Sequence, residues 1–301
     1  MALTTEAKYR NVFGVDAAPA LEAIALEESA LTPDNRSEVF DMLSMNREIL
    51  QWNKIGELGR YSETAEGQQA ASDTFTELGL KTYTAIKFTN EIAITEEMIE
   101  DARGDLIERQ VKALARSGIE TQMFSAWDFI DNAFGNSLAF DGVALVSASH
   151  TTLSGNQSNL LTAADLDISS LKIADQSMRK QTDDRGKRIL IQPTNLIVHT
   201  DERHNAIELT RSPFLPGGAN NNVNSIDQFK ITESPYLTDL DAWFLKTTPS
   251  DPMNGIKIYD RKPLSRELHD DPRAGVIYYV SKYRQAIGAD EWRGIFGNRG
   301  A

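Results

Sequence analysis

The residue types with the most obvious chemical promise lie in Ser147-Ala-Ser149-His150, where two hydroxyls stand beside an imidazole. That set would suit acyl transfer, with the histidine taking a proton from a serine nucleophile. Adjacency in sequence does not make a relay, and no Gly-x-Ser-x-Gly elbow accompanies it. His199 and His204, with Asp201 and Glu202 between them, offer the donor types of a metal site. Their spacing is not the i, i+4 pair of a zinc-protease helix, so a polar loop is expected there. Asp183-Asp184 and Asp270-Asp271 read as turn acids, and adjacent carboxylates alone hold a divalent ion weakly. No phosphate-cradling Gly-x-x-x-x-Gly-Lys loop and no Gly-x-Gly-x-x-Gly fingerprint is present. Arg185, Lys187 and Arg188 form too small a cluster for a nucleic-acid groove. The expectation is a protein with no catalytic residue, no cofactor and no metal.

Composition narrows the class further. The 301 residues hold 31 Lys+Arg against 44 Asp+Glu, a net charge of −13, and no cysteine. Disulfides, cysteine-zinc sites, Fe–S clusters and thiol nucleophiles are therefore excluded. The acidic balance argues against a generic nucleic-acid coat and suits high solubility, or an inner surface that must not stick to DNA. With 41% hydrophobic and 25% charged residues the chain can build a sizeable core, as one large domain or two to three small ones. No apolar run approaches the roughly 18 residues of a membrane span. The opening Met-Ala-Leu-Thr-Thr-Glu does not read as a signal peptide, so the expected compartment is the cytoplasm.

Three elements then stand out. Residues 1–48 carry short amphipathic pieces: Leu21, Ile24, Ala25 and Leu26, then an expected helix over 36–50 with Val39, Phe40, Leu43 and Leu50. They fit an N-terminal helical subdomain or an arm that packs on other subunits. Residues 49–90 read as a long β-hairpin around a polar tip, Ser62 to Thr74. It is either an ordinary surface hairpin or one that needs a partner surface, since two strands alone are marginal in water. The strongest pattern runs from Thr95 to Phe134. Thr95 is the N-cap, Glu96 and Glu97 sit in the first turn, and Ile94 with Ile99 makes a hydrophobic staple. If unbroken it is a rod of roughly 55–60 Å, with Gly104 and Gly118 marking bends or close contacts. Beyond it, a helix over 165–179 (capped at Thr162 or Asp165), strands at 143–146, 189–191 and 196–198, and a helix over 202–210 suggest a small α/β unit. A mobile loop is expected over 212–222. Strands are expected at 230–233, 242–246, 256–259 and 276–280. Arm, hairpin and long helix each bury little in one subunit, which points to neighbouring copies in a shell or filament.

Several of these stretches resemble the major capsid proteins of tailed bacteriophages with the Hong Kong 97-type fold, most closely the branch related to the phage Mu major head subunit. Glu66-Gly67 followed by Phe75-Thr-Glu-Leu78-Gly79 and Lys81-Thr-Tyr83 is similar to the family's extended loop (E-loop). Ile92-Ala-Ile-Thr-Glu-Glu-Met-Ile99 resembles the lead-in to its spine helix, and Asp141-Gly-Val-Ala-Leu-Val-Ser147 through His150 the segment after it. Met178-Arg-Lys-Gln181 with residues 189–199 resembles the axial helix and strand. Ser234-Pro-Tyr-Leu-Thr-Asp-Leu-Asp-Ala-Trp-Phe-Leu245 is the most specific stretch. The similarity covers about residues 50–301.

The resemblance implies an α+β fold. Residues 1–48 would be the N-arm, 49–88 the extended loop hairpin, and 89–150 the peripheral (P) domain with its spine helix. Residues 151–250 would be the α/β axial (A) domain, and 251–301 the returning strands and tail. It implies a structural, non-enzymatic head protein that self-assembles into hexamers and pentamers of an icosahedral shell around double-stranded DNA, bound without sequence specificity. Assembly would occur in the host cytoplasm. Portal, scaffold or decoration proteins are further implied partners. Tyr61, Glu66, Phe75, Leu78 and Trp243 are the assembly-interface candidates. One relative crosslinks its shell through an extended-loop lysine, but the tip over 61–74 has no lysine, so no crosslink is expected. Many relatives shed a scaffolding segment; here none is expected, or one already absent. An encapsulin-type nanocompartment shell remains an alternative on the same fold, and a soluble hydrolase using Ser147, Ser149 and His150 a remote one.

Overall fold

In the computed structural model, which describes residues 5–214, 223–226 and 229–301, helices open the chain. They are α1 (Thr5–Phe13), α2 (Ala17–Leu31) and the single turn α3 (Arg36–Val39). Strands β1 (Asp41–Ser44), β2 (Ile49–Ile55), β3 (Glu77–Thr84) and β4 (Ile86–Thr95) follow. Then come α4 (Glu96–Glu100), the long α5 (Gly104–Asp131), β5 (His150–Thr152), β6 (Gly155–Gln157), α6 (Ile168–Arg179), β7 (Asn195–His199) and α7 (Arg203–Arg211). The chain closes with β8 (Lys230–Ser234), β9 (Trp243–Lys246), β10 (Ile256–Asp271), β11 (Val276–Ala289) and β12 (Ile295–Asn298).

Two four-stranded sheets carry the fold, in the orders β1-β10-β11-β4 and β12-β9-β7-β8; β2-β3 and β5-β6 are two-stranded ribbons. The first sheet is built on the long antiparallel pair β10 and β11, with β4 antiparallel to β11 and β1 parallel to β10. One face of α5 (Ile107, Val111, Leu114, Ala115) is buried against Ile94, Ile277 and Tyr279 of this sheet and Leu21 and Ala25 of α2. Each such side chain contributes about 1.5–3 kcal/mol on burial. A second core gathers Val39, Phe40, Trp127, Phe244, Trp292 and Ile295 where the C-terminal half of α5 meets the second sheet. A third lies between that sheet and α6 and α7, around Leu171, Met178, Leu196, Trp243 and Phe296.

The expected rod over 95–134 is broken. Thr95 does cap it, its Oγ1 accepting from the Met98 N–H at 3.4 Å, but Ala102 turns the chain at φ +51° and a new helix starts at Gly104. A Cβ at Gly104 would stand 3.0 Å from the Phe13 ring, so glycine here lets α1 press on the start of α5. At Gly118 the Leu264 methyls of β10 come within 3.2 Å of where a Cβ would sit. The 28 residues of α5 span about 42 Å rather than 55–60 Å.

Other expectations shift for tertiary reasons. The helix expected over 36–50 is one turn long, because Asp41–Ser44 pairs with β10 instead. α6 is capped by Asp167, not Thr162 or Asp165: its carboxylate accepts from the Ser170 N–H while the Ser170 hydroxyl accepts from the Asp167 N–H. Residues 189–191 are not a strand; Ile191 enters a core and Leu190 is exposed. Residues 143–146 make one bridge, Leu138 to Ala144. The expected loop over 212–222 falls largely on residues 215–222, outside the described residues. Of the two readings for the N-terminal stretch, α1 and α2 pack on this chain's own α5. Arg116 bonds Glu28, and the Tyr279 hydroxyl donates to Glu22 at 2.7 Å. Among the described residues no helix is long and apolar enough to cross a membrane.

Candidate assembly surface: the extended loop and its anchors

Strands β2 and β3 pair from Ile49–Thr84 to a bulge at Lys54–Ile55, after which one bond, Gly56 N–H to the Thr76 carbonyl at 2.7 Å, closes the ribbon. The run beyond is rich in Gly, Ala, Ser and Glu and has no alternating apolar residues to extend the ladder, so residues 57–75 form an open loop. Its end is a turn in which the Gln68 N–H donates to the Ala65 carbonyl. Tyr61 is 103% exposed and Phe75 68% exposed, two large rings on one projecting loop. Glu66 is exposed at the tip.

Two other interface candidates are differently situated. Leu78 is half-buried and packs against the core near the base of the ribbon. Trp243 is fully buried in β9, its indole N–H donating to the Ala164 carbonyl at 3.2 Å. It cannot touch another subunit: Trp243-Phe-Leu-Lys246 is a strand buried on both faces, and its aromatic content reports core.

The loop is clasped to the turn at 183–187. Arg185 Nη1 meets both Asp73 carboxylate oxygens at 2.9 and 3.0 Å, and its Nη2 donates to the Thr74 carbonyl at 2.9 Å. Lys187 Nζ donates to the Leu58 carbonyl at 3.2 Å. The Gly59 N–H and the Arg185 guanidinium hold the Asp73 carboxyl below the usual carboxylate range. The turn itself is rigid because buried Asp183 accepts from the N–H groups of Arg185 and Lys187. The base of the ribbon is pinned as well. Lys54 Nζ donates to Glu291 at 2.7 Å, and Arg293 joins Glu291 (2.9 Å) to Asp184 (2.5 Å). Burial would raise the Glu291 carboxyl, but Arg293 and Lys54 outweigh it and hold it below its ordinary value. Lys257 bonds Asp290 at 2.6 Å and lies 5.1 Å over the Trp52 ring. Asp183 and Asp184 are the turn acids expected here, and both are buried. This ion-pair set escaped sequence reasoning because its joining pairs, Arg185–Asp73, Arg293–Asp184 and Lys54–Glu291, are each more than 100 positions apart; the basic triplet 185–188 beside two acids was its clearest trace.

Ser147, Ser149 and His150 do not form a relay. His150 is fully buried, with Nδ1 2.6 Å from Asp141 Oδ2 and Nε2 3.1 Å from Asn159 Oδ1. The Asn159 amide nitrogen points at the carbonyls of Leu145, Trp292 and Ile295, which fixes its oxygen toward the ring. Both ring nitrogens are therefore engaged by Asp141 and Asn159, and neither is aimed at a serine hydroxyl. The ring stacks on Trp292 at 4.2 Å and ties residues 141–159 to the segment between β11 and β12. Ser147 Oγ accepts from the Ser149 N–H instead. His199 Nδ1 accepts from the Asp201 N–H, and among the described residues no group of three or more His, Asp or Glu could hold a metal.

A long helix laid on a long antiparallel sheet, an α/β second unit and a projecting, clasped loop define a shell-building subunit. The profile of the family described as phage capsid protein matches residues 79–298. Among solved structures, the capsid of the cyanophage P-SCSP1u aligns with TM-score 0.58 at 9% identity, over 88% of this chain and 87% of that one. The capsid of bacteriophage JBD30 decorated with minor capsid protein trimers aligns with TM-score 0.54 at 14% identity, over 69% and 92%. A virus-like particle from Pyrococcus furiosus aligns with TM-score 0.55 at 7% identity, over 93% and 98%. No curated protein matches. The chain belongs to the phage capsid protein family: it is a major capsid protein of the Hong Kong 97-type fold, a structural component of the virion capsid.

Proposed function

We propose that this subunit forms the hexamers and pentamers of a phage head that encloses double-stranded DNA without reading its sequence, and that it does so without enzymatic activity. The observation that carries this is the extended loop, whose Tyr61 ring is wholly exposed and whose Phe75 ring is largely so. In an assembly they, with Glu66, lie on neighbouring subunits, and overlapping loops bury the large areas typical of obligate complexes. Residues 49–88 then act as the extended loop, 89–150 with the returning strands of 251–301 as the P-domain, 151–250 as the A-domain, and 1–48 as an arm held mainly on its own P-domain. The net charge of −13 suits a wall that must not trap the packaged genome. The decoration trimers on the JBD30 capsid make a minor capsid protein a candidate partner here, alongside portal and scaffold proteins.

Electron microscopy of particles from expressing cells tests this reading. Closed shells or capsomers support it, and small uniform globules contradict it. The likeness to the Pyrococcus furiosus particle keeps an encapsulin-type compartment as a second reading. Nuclease-protected double-stranded DNA in particles from phage-producing cells decides for the head; a packaged protein cargo decides for the compartment.

A further inference from the structure

The sheet face turned away from α5 carries an unusual charge arrangement. Along β11 the residues facing the helix are Ile277, Tyr279, Ser281 and Tyr283, so Lys282 and Arg284 stand on the opposite face. Register places Arg284 directly opposite Lys87 on β4 and Lys262 on β10, three cations in one row across three strands. With Lys282 they line a hollow of about 110 Å³. Glu267 pairs with both Lys262 and Lys282, whereas Lys87 and Arg284 have no acidic partner among the described residues. Glu91 is the next acid on that edge, four residues along β4 and so about 13 Å away. Like charges directly opposite one another destabilise a sheet. A chain with 44 acids and 31 bases has nonetheless gathered four cations around one carboxylate.

The complementary charge lies at the loop tip. Glu66 lies in the turn at 65–68 and Glu63 two residues before it, and both are exposed without an ion pair among the described residues. They cannot reach their own subunit's hollow. β3 ends at Thr84, beside Lys87, while the tip lies beyond the other end of that eight-residue strand, about 25 Å away. The Arg185 clasp on Asp73 and Thr74 holds the loop at the 183–187 turn, on the far side from the hollow. A second copy of the chain can supply those carboxylates, and its exposed Tyr61 ring, on the same loop, offers a face for a lysine or arginine.

We propose that the hollow formed by Lys87, Lys262, Lys282 and Arg284 is the seat for Glu63 and Glu66 at the extended-loop tip of a second copy of this chain. This rests on the shell-subunit reading above and names the pairing that would set the register between neighbours. Charge reversal in the full-length chain tests it. The double variants Lys87→Glu/Arg284→Glu and Glu63→Lys/Glu66→Lys, and the fourfold variant combining them, are compared with the wild type for the fraction sedimenting as shells or capsomers. A thermal melt checks that each subunit is folded. Each double variant is expected to fold normally and to lose assembly by about tenfold or more, the loss growing as salt is lowered, and the fourfold variant to recover it. Normal assembly by either double variant, or no recovery in the fourfold one, overturns the seat. Loss confined to the Lys87/Arg284 variant also overturns it, because the hollow then takes some other anion. A wild type that forms no assembly overturns the shell reading and the seat with it, whereas failure of the pairing alone leaves that reading intact.

Discussion

Arg185 and Asp73 lie 112 positions apart and meet through two bonds of 2.9 and 3.0 Å, so the direction of the extended loop is set by a turn of the α/β unit. The ribbon base is fixed separately, by Lys54 on Glu291. A loop held at both ends can keep Tyr61 and Phe75 exposed yet oriented.

Arg185→Ala is expected to free the loop without unfolding the subunit. An exposed ion pair is worth about 0–1 kcal/mol, so the melting midpoint should barely move, while limited trypsin digestion at Arg60 accelerates several-fold. Unchanged cleavage kinetics would show that the clasp does not restrain the loop.

Asn159→Ala should cost about 2–4 kcal/mol in a denaturant melt. It leaves the carbonyls of Leu145, Trp292 and Ile295 and a nitrogen of buried His150 without their partner. A cost no larger than that of an exposed Asn→Ala control contradicts the role given to this residue.

Lys246 makes stability pH-dependent. It is fully buried in β9, donates to the Thr247 carbonyl at 3.2 Å, and burial pushes its ammonium down to about 7, with Asp251 and Asp41 opposing. The unfolded chain holds this proton up to about 10.4. The native state therefore gains stability as pH rises from about 7 toward 10 and loses it as pH falls through that window. Lys246→Met should stabilise the subunit at pH 7 by roughly 1–4 kcal/mol and flatten this slope. A Met variant with the wild-type pH slope would rule the lysine out as its source.

Mature particles should run as a single band on a denaturing gel. The lysines nearest the loop tip are engaged, Lys54 with Glu291 and Lys81 with the Leu138 carbonyl at 2.6 Å. A ladder of covalent oligomers would refute this.

Much of the architecture was legible because it rests on local signals. Thr95 with Glu96 and Glu97 announces a helix start, and the apolar spacing from Ile107 to Ile130 gives α5 its buried face. The polar run over 62–74 announces a loop with no ladder. What was not legible depends on distant chain meeting it. The rod breaks at Ala102, next to where Phe13 of α1 meets Gly104, β10 captures residues 41–44 from a helix, and Trp243, an interface candidate, is drawn into a core. The cation row is invisible in sequence, since Lys87, Lys262 and Arg284 become neighbours only through strand register.

Sedimentation velocity on the full chain, compared with a variant in which residues 61–74 are replaced by a short Gly-Ser linker, addresses the central claim most directly. The wild type should sediment as capsomers or shells, and the shortened variant as a folded single subunit with an unchanged melt, because the loop contributes nothing to the cores. A wild type that stays monomeric at high concentration, or a shortened variant that assembles just as well, would contradict the account.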